Sequence, residues 1–411
     1  MLRTLRLALV LALLTAGGGP ALTAHAQTTP PLAVPGPCQQ GTLPHGALWL
    51  VCVPAAGWNG DLVVWAHGYV APNQPLGFYH LGSDGTSLPD ETQRLGYAFA
   101  TTSYRQNGLA VLEGADDVRE LVALFPSVAG RAPTRTYQTG ASEGGLITTL
   151  LIERSPELFS GGLAACGPIG SFKRQVDYFG DFRVLFDYFF PGVLPPSPIA
   201  IPPGVMEQWD SVYVPRIKAA LAANPGAARQ LIRTSKAAID PARPSETTVE
   251  TTIDLLWYNV LGTNQGMAEL GGNPYGNLGR WYWGSDDDLR LNRTVQRFAA
   301  DPAALQNLVP YETSGALTRP LVTLHTTGDD IVPFWHELLY AAKARPTGRG
   351  SLTPVPAFRY GHCQFNVVET LAAFGLLVGQ VTGSQPAGLT QRLDAAQVRR
   401  ELARASAEAV R

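Results

Sequence analysis

The stretch "TYQTGASEGGLITTLLIERSP", residues 136–156, decides how the rest of the chain is read. It opens on β-branched and aromatic residues, passes through Gly140-Ala141-Ser142-Glu143-Gly144-Gly145, and continues as an apolar pattern of helical spacing. A strand that stops at a serine with a helix starting behind it exposes the hydroxyl. The helix N-terminus also turns free backbone N–H groups toward it. Gly140 and Gly144 would relieve crowding in so sharp a turn. In a chain with 43 glycines, G-x-S-x-G alone is a weak signal, and a plain turn serine is the competing reading. The surrounding elements must decide.

Outward from this stretch, strands and helices alternate. "DLVVWAHG" (61–68) reads as an apolar strand, "ETQRLG" as helical and "YAFATTSYR" (97–105) as a strand. "EGADDVRELVALFPSVAG" (113–130) carries apolar residues at helical spacing, acids early and a glycine at its end. "SGGLAACGP" (160–168) reads as a buried strand. The rhythm stops near residue 169 and resumes at "RPLVTLHTTGDD" (319–330), then "FWHELLYAAKA", "TPVPAFRYGH" and "CQFNVVETLAAFGLLVG". This predicts an α/β fold: a mostly parallel sheet with helices on both faces.

The interruption holds 17 of the chain's 37 aromatic residues, including "DYFGDFRVLFDYFFPGVLPP" and "RWYWGSDDD". An insertion between parallel strands lies at the carboxyl edge of the sheet, where such folds bind ligands. Residues 169–308 are therefore expected to form a helical, aromatic-rich cap. The core then comprises 38–168 and 309–385, followed by a polar helical tail over 386–411.

An alcohol that attacks an acyl carbon needs a base and an acid to orient it. "LVTLHTTGDDIVPF" ends a strand in Gly328-Asp329-Asp330, and "FRYGHCQF" ends the next in Gly361-His362. The order Ser142, Asp329, His362 leaves room for one helix and one strand between acid and base. Upstream, Ala66-His67-Gly68-Tyr69 closes the first long strand and can bring a backbone N–H to the site. Glu143, next to the serine, can bring another.

Four ordered pieces, "AHGY", "GASEGG", "GDDIVP" and "GH", resemble the α/β-hydrolase superfamily across roughly residues 48–168 and 318–382. The resemblance implies Ser142 as nucleophile, His362 as base and Asp329, four residues before Pro333, as the acid, with Asp330 as its competitor. It implies an oxyanion hole from the N–H groups of Tyr69 and Glu143, supported by His67 and Gly68. It implies no metal or organic cofactor. "GHC" is also similar to secreted feruloyl esterases and tannases, in which a disulfide ties the neighbours of the serine and histidine together. Here Ala141 stands before the serine, so Cys363 is expected to pair with Cys166 instead.

The N-terminus bears on the compartment. "MLRTLRLALVLALLTAGGGPALTAHAQ" sets Arg3 and Arg6 before an apolar run, and Ala24-His25-Ala26 reads as a cleavage site. This predicts a secretory signal peptide over 1–26, cut after Ala26, and a proline-rich leader over 27–37. Cys38 follows "VPGP", so no lipid anchor is expected, and the mature chain should be secreted or periplasmic. Four cysteines in an oxidising compartment allow three pairings. Cys38 and Cys52 flank a segment that reads as a hairpin and can meet locally, which leaves Cys166 with Cys363. A net charge of −2 with scattered basic residues gives no sign of a nucleic-acid partner, and none is expected.

Several residues have plainer readings. His336 is a competing base, His325 reads as a buried strand histidine, and Asp286-Asp287-Asp288 as a solvated turn rather than a calcium site. Asn292-Arg293-Thr294 matches a glycosylation pattern. The chain is thus expected to be a serine hydrolase that cleaves hydrophobic or aromatic carboxylic esters, small or polymeric. An amidase or aminopeptidase using the same residues is the alternative, with Asp177, Asp181, Asp187 and Glu207 available to hold an amine. A non-catalytic binding protein on the same fold is the third reading.

Overall fold

A computed structural model describes residues 35–82, 85–386 and 389. The chain divides into two units, residues 1–30 and 31–411, and every described residue belongs to the second. The predicted signal peptide, leader residues 27–34 and nearly all of the C-terminal tail lie outside the described residues.

A hairpin of β1 (Cys38–Thr42) and β2 (Leu48–Cys52) starts the sheet, with Cys38 directly opposite Cys52. β3 (Leu62–Ala66), β4 (Ala98–Thr102), β5 (Thr136–Ala141) and β6 (Gly161–Ala165) follow, each pair separated by a loop or helix. β7 (Ala316–Leu317) and β9 (Arg345–Pro346) form a small ladder of their own, while β8 (Pro320–Gly328) and β10 (Ser351–Tyr360) complete the main sheet. Its order is β1-β2-β4-β3-β5-β6-β8-β10. β2 runs antiparallel to β4, and every pairing from β4 onward is parallel.

The pleat explains how this sheet is covered. Leu62, Val64 and Ala66 of β3 point into one core, with Leu121 and Phe125 of α2 (Val111–Ala129) and Ile147 and Leu151 of α3 (Glu143–Arg154). Val63, on the opposite face, joins Leu163, Leu324, Phe374 and Leu377 in a second core under α12 (Val367–Thr382). α1 (Leu88–Arg94) borders this second side through Leu95, just past its end. A central parallel strand buried on both faces needs an apolar residue at every position, which "LVVWA" supplies.

Between β6 and β8 the chain builds α4 (Phe172–Phe189), α5 (Pro203–Glu207), a π-helical turn over Trp209–Tyr213, α6 (Val214–Ala223) and α7 (Pro225–Ser235). The 27-residue α8 (Pro244–Leu270), α9 (Asp288–Thr294) and α10 (Pro302–Leu308) follow. These helices enclose a third core around Phe182, Phe186, Trp209, Leu231 and Leu256. Leu270 at the end of α8 and Ala304 and Leu308 of α10 instead join the core of the sheet. The insertion is thus stitched to the sheet at its far end, ahead of residue 309. α11 (Trp335–Lys343) then packs back through Tyr340.

The second disulfide joins Cys166, just past β6, to Cys363, with 5.4 Å between their Cα atoms. The first crosses the β1–β2 hairpin between Cys38 and Cys52.

Candidate functional site

Ser142 lies between the last residue of β5 and the first of α3, with φ 58° and ψ −121°. A non-glycine residue at positive φ is strained, and its surroundings must hold it there. Its N–H donates to Ala165 O at 2.9 Å, fixing the turn to β6. The packing demands the neighbouring glycines. A Cβ on Gly144 would stand 2.0 Å from Ala66 O, and one on Gly140 2.3 Å from Gly144 O. β3, β5 and the first turn of α3 can approach this closely only without side chains there.

The Ser142 hydroxyl is 2.9 Å from His362 Nε2. On the other side of the ring, His362 Nδ1 lies 2.8 Å and 3.0 Å from the two Asp329 oxygens. A carboxylate only accepts, so Nδ1 carries a proton toward Asp329 and Nε2 is the nitrogen that faces the serine O–H. Asp329 also accepts from the N–H groups of Ile331 and Val332 at 3.0 and 2.8 Å. Burial would raise its carboxyl, but His362 and His325 hold it well below the usual carboxylate range.

Behind Asp329 stands a second layer that the sequence did not reveal. His325 Nε2 is 2.8 Å from Val332 O and 3.5 Å from Asp329 Oδ2. Its Nδ1 is 3.1 Å from Glu337 Oε1, and Glu337 Oε2 accepts from the Thr323 hydroxyl at 2.5 Å. Burial opposes a charge on this ring. The hydrogen bonds and charges of Asp329 and Glu337 outweigh it and push His325 up to about 10. The result is a line, Ser142, His362, Asp329, His325 and Glu337, whose last three members are buried.

The competing residues lie elsewhere. Asp330 accepts from the Tyr360 hydroxyl at 3.3 Å, and burial pushes its carboxyl up to about 7. His336 accepts from Gly170 N–H at 3.0 Å, and its Nε2 faces Gln175 Oε1 at 2.8 Å. Burial holds that ring far below the usual histidine range, so it is neutral and occupied.

Around the serine, a Cβ on Gly68 would be 3.2 Å from Ser142 Cβ, so the chain leaving β3 passes directly over it. His67 Nδ1–H donates to Gly68 O at 2.7 Å, and its ring stacks on Tyr104 with centroids 3.9 Å apart. Tyr69 meets the insertion at Trp257 and Tyr258. Glu143 turns its side chain inward, accepting from Ala110 N–H at 2.9 Å, and burial pushes its carboxyl up to about 8.

Two cavities open at Ser142. One, about 550 Å³, lies between the sheet and α12 and is bordered by His362. The other, about 160 Å³, lies toward the insertion and is bordered by Glu143, Phe179, Asn259 and Met267.

Other sequence motifs have structural partners. Asp286 pairs with Arg233, Asp287 caps α9 through Arg290 N–H, and Asp288 accepts from Gly284 and Ser285. The Asn292 amide donates to Tyr282 O and Asp288 O at 2.6 and 2.8 Å, which engages the nitrogen that glycosylation would need. Cys166, His362 and Cys363 come together, but the sulfurs share a disulfide and offer no thiolate.

The sheet order, its antiparallel β2 and the strand–Ser142–helix turn make this the α/β-hydrolase fold. No protein-family model matches the chain, and no curated protein does. Solved structures are similar at low identity. An acylaminoacyl peptidase in complex with Z-Gly-Gly-Phe-chloromethyl ketone is 13% identical with a TM-score of 0.41; the match covers 90% of this chain but 41% of that one. An esterase of Pyrococcus furiosus is 12% identical with a TM-score of 0.44, covering 86% and 92% of the two chains. Feruloyl esterase B from Aspergillus oryzae is 13% identical with a TM-score of 0.44, covering 85% and 81%. The chain spans less than half of the peptidase.

Proposed function

We propose that the protein is a serine hydrolase that cleaves apolar carboxylic esters through an acyl-enzyme on Ser142. The observation that carries this is the line from Ser142 Oγ through His362 to Asp329, opening on an apolar cavity. Ser142 Oγ forms a bond to the ester carbon as its proton passes to His362 Nε2. The carbonyl oxygen, now an oxyanion, meets the N–H groups of Tyr69 and Glu143; the first N–H of a helix has no partner inside the helix. The C–O bond then breaks, and the departing alkoxide takes the proton from Nε2. Water repeats the sequence in reverse and releases the acid. Asp329 keeps the ring in the Nδ1–H form and stabilises its cation.

The acids considered for an amine site favour the ester reading. Asp177 and Asp181 are both engaged by Arg280, Asp187 is paired with Arg183, and Glu207 is exposed. An aminopeptidase would need such an acid in the site, and none of the four borders either cavity at Ser142. The insertion over 169–308 then acts as a cap, with Tyr69 touching its long helix at Trp257 and Tyr258. Two disulfides fit an extracellular protein, which agrees with residues 1–26 acting as a signal peptide. No helix among the described residues is long and apolar enough to cross a membrane.

The test compares turnover of p-nitrophenyl acyl esters with that of aminoacyl p-nitroanilides. Faster ester cleavage supports the reading. Preferred cleavage of the amides, with saturation by the free amine, would overturn it in favour of a peptidase.

A further inference from the structure

The two cavities at Ser142 are unequal, and the chemistry assigns each to one half of the substrate. The same proton that His362 Nε2 takes from the serine must go to the departing oxygen, so the leaving group has to lie on the His362 side of the reacting carbon. The larger cavity is bordered by His362 and Cys363. The smaller one is bordered by Glu143 and not by His362. Both share Ser142, Tyr69 and Tyr258.

Building on the ester reading, we propose that the cavity under α12 is the leaving-group site, and that it takes a large, uncharged, apolar alcohol joined to a compact acyl group. The walls define that class. Val63, Phe99, Leu163 and Leu324 project from the same face of the sheet, and Leu371 and Phe374 meet them from α12. These residues are nearly closed to solvent, whereas Tyr79 and Leu81 at the other end of the lining are exposed, so the cavity runs from the surface into the core. About 550 Å³ accommodates a bicyclic aromatic or a long aliphatic alcohol, whereas about 160 Å³ limits the acyl side to a few carbons. Among the described residues no Lys or Arg borders the large cavity, and the Glu91 carboxylate on its wall pairs with Arg94, so nothing there invites an anionic leaving group.

Each carbon of the alcohol buried against these walls contributes through its apolar area, and it does so in the transition state because the alcohol is still attached there. Specificity should therefore follow the alcohol and not the acyl chain. Val367 and Thr370 border the cavity from the first turns of α12 and are half-buried, so a larger side chain there fills the space from its outer wall.

The test measures kcat/KM over two ester series. One holds the acyl group at acetyl and varies the alcohol from methyl to hexyl to 2-naphthylethyl, the naphthyl member, all alkyl alcohols of similar acidity, so that leaving-group reactivity stays level. The other holds the alcohol as methyl and varies the acyl group from acetyl to octanoyl. Wild type should favour the naphthyl over the methyl acetate by at least about 100-fold, roughly 2.8 kcal/mol at tenfold per 1.4 kcal/mol, and should lose rate beyond a butanoyl acyl chain. In Val367→Trp and, independently, Thr370→Trp, the naphthyl-to-methyl ratio should fall at least tenfold, with folding checked by thermal melts. A preference that instead follows acyl length, or a ratio unchanged in both folded variants, would overturn the assignment while leaving the ester reading intact. Absence of turnover across both series would overturn the ester reading, and this inference with it.

Discussion

At the scale of single residues, the site depends on positions that tolerate no substitution and on charges that do not face water. Gly144→Ala is expected to destabilise the protein by more than about 3 kcal/mol, because its Cβ would stand 2.0 Å from a carbonyl oxygen that β3 cannot move. A urea titration measures it; a variant of unchanged midpoint would mean that the turn at Ser142 is looser than described. The buried charges predict a pH dependence. Asp329 is held below its unfolded value, so its contribution to stability is present above about pH 3.9 and is lost as the pH falls from there. His325 is raised to about 10, so its contribution is full below about pH 6.5 and is lost as the pH rises toward 10. Wild type should therefore weaken between pH 6.5 and 10 in denaturant midpoints, and His325→Gln should flatten that decline. An equal slope in both would remove the charge from His325.

At the scale of elements, the Cys166–Cys363 bridge ties the loop carrying His362 to the end of β6, across a sequence separation of 197 residues. One of its sulfurs lies 3.4 Å from His362 Nε2. Replacing both cysteines with alanine should cost about 3–5 kcal/mol, and activity should fall more than tenfold in conditions where far-ultraviolet dichroism still reports the folded sheet. Full activity in the double variant would show that the loop holds itself. Much of this level was legible in the chain. β5, α3 and the turn between them follow from glycine spacing and a change of hydrophobic period at one serine. His325 illustrates what was not legible. It sits within a strand and reads as a core residue, and only the turn after β8 brings its ring back toward Asp329 and Glu337. The cavity under α12 was equally hidden, because the apolar strand residues that wall it look the same in sequence as residues that fill a core.

At the scale of the whole molecule, two packing systems share one chain. The sheet has a core on each face, and the insertion has its own around Phe186 and Leu256. Arg280 bridges two acids of α4, Asp177 and Asp181, and removing it would leave Asp181 without a cation while Asp177 keeps Lys173. Arg280→Ala should cost about 3 kcal/mol, with hydrogen exchange rising in α4 and α9 while the strands of the sheet stay protected. Uniform exchange across the molecule would mean that the two systems unfold as one. The boundary between them was only partly legible. The drop in strand–helix rhythm marks where the insertion begins, but nothing in the spacing of α8 and α10 announces that Leu270, Ala304 and Leu308 return to the core of the sheet.

The central claim is that Ser142 is an activated nucleophile, and one experiment addresses it without knowledge of the substrate. The mature protein, wild type beside Ser142→Ala, is treated with a fluorophosphonate probe, and the labelled peptide is mapped by mass spectrometry. A single adduct on Ser142 that is absent from the variant is the expected result. A folded wild type that takes no label, or a label that persists in Ser142→Ala, would contradict it.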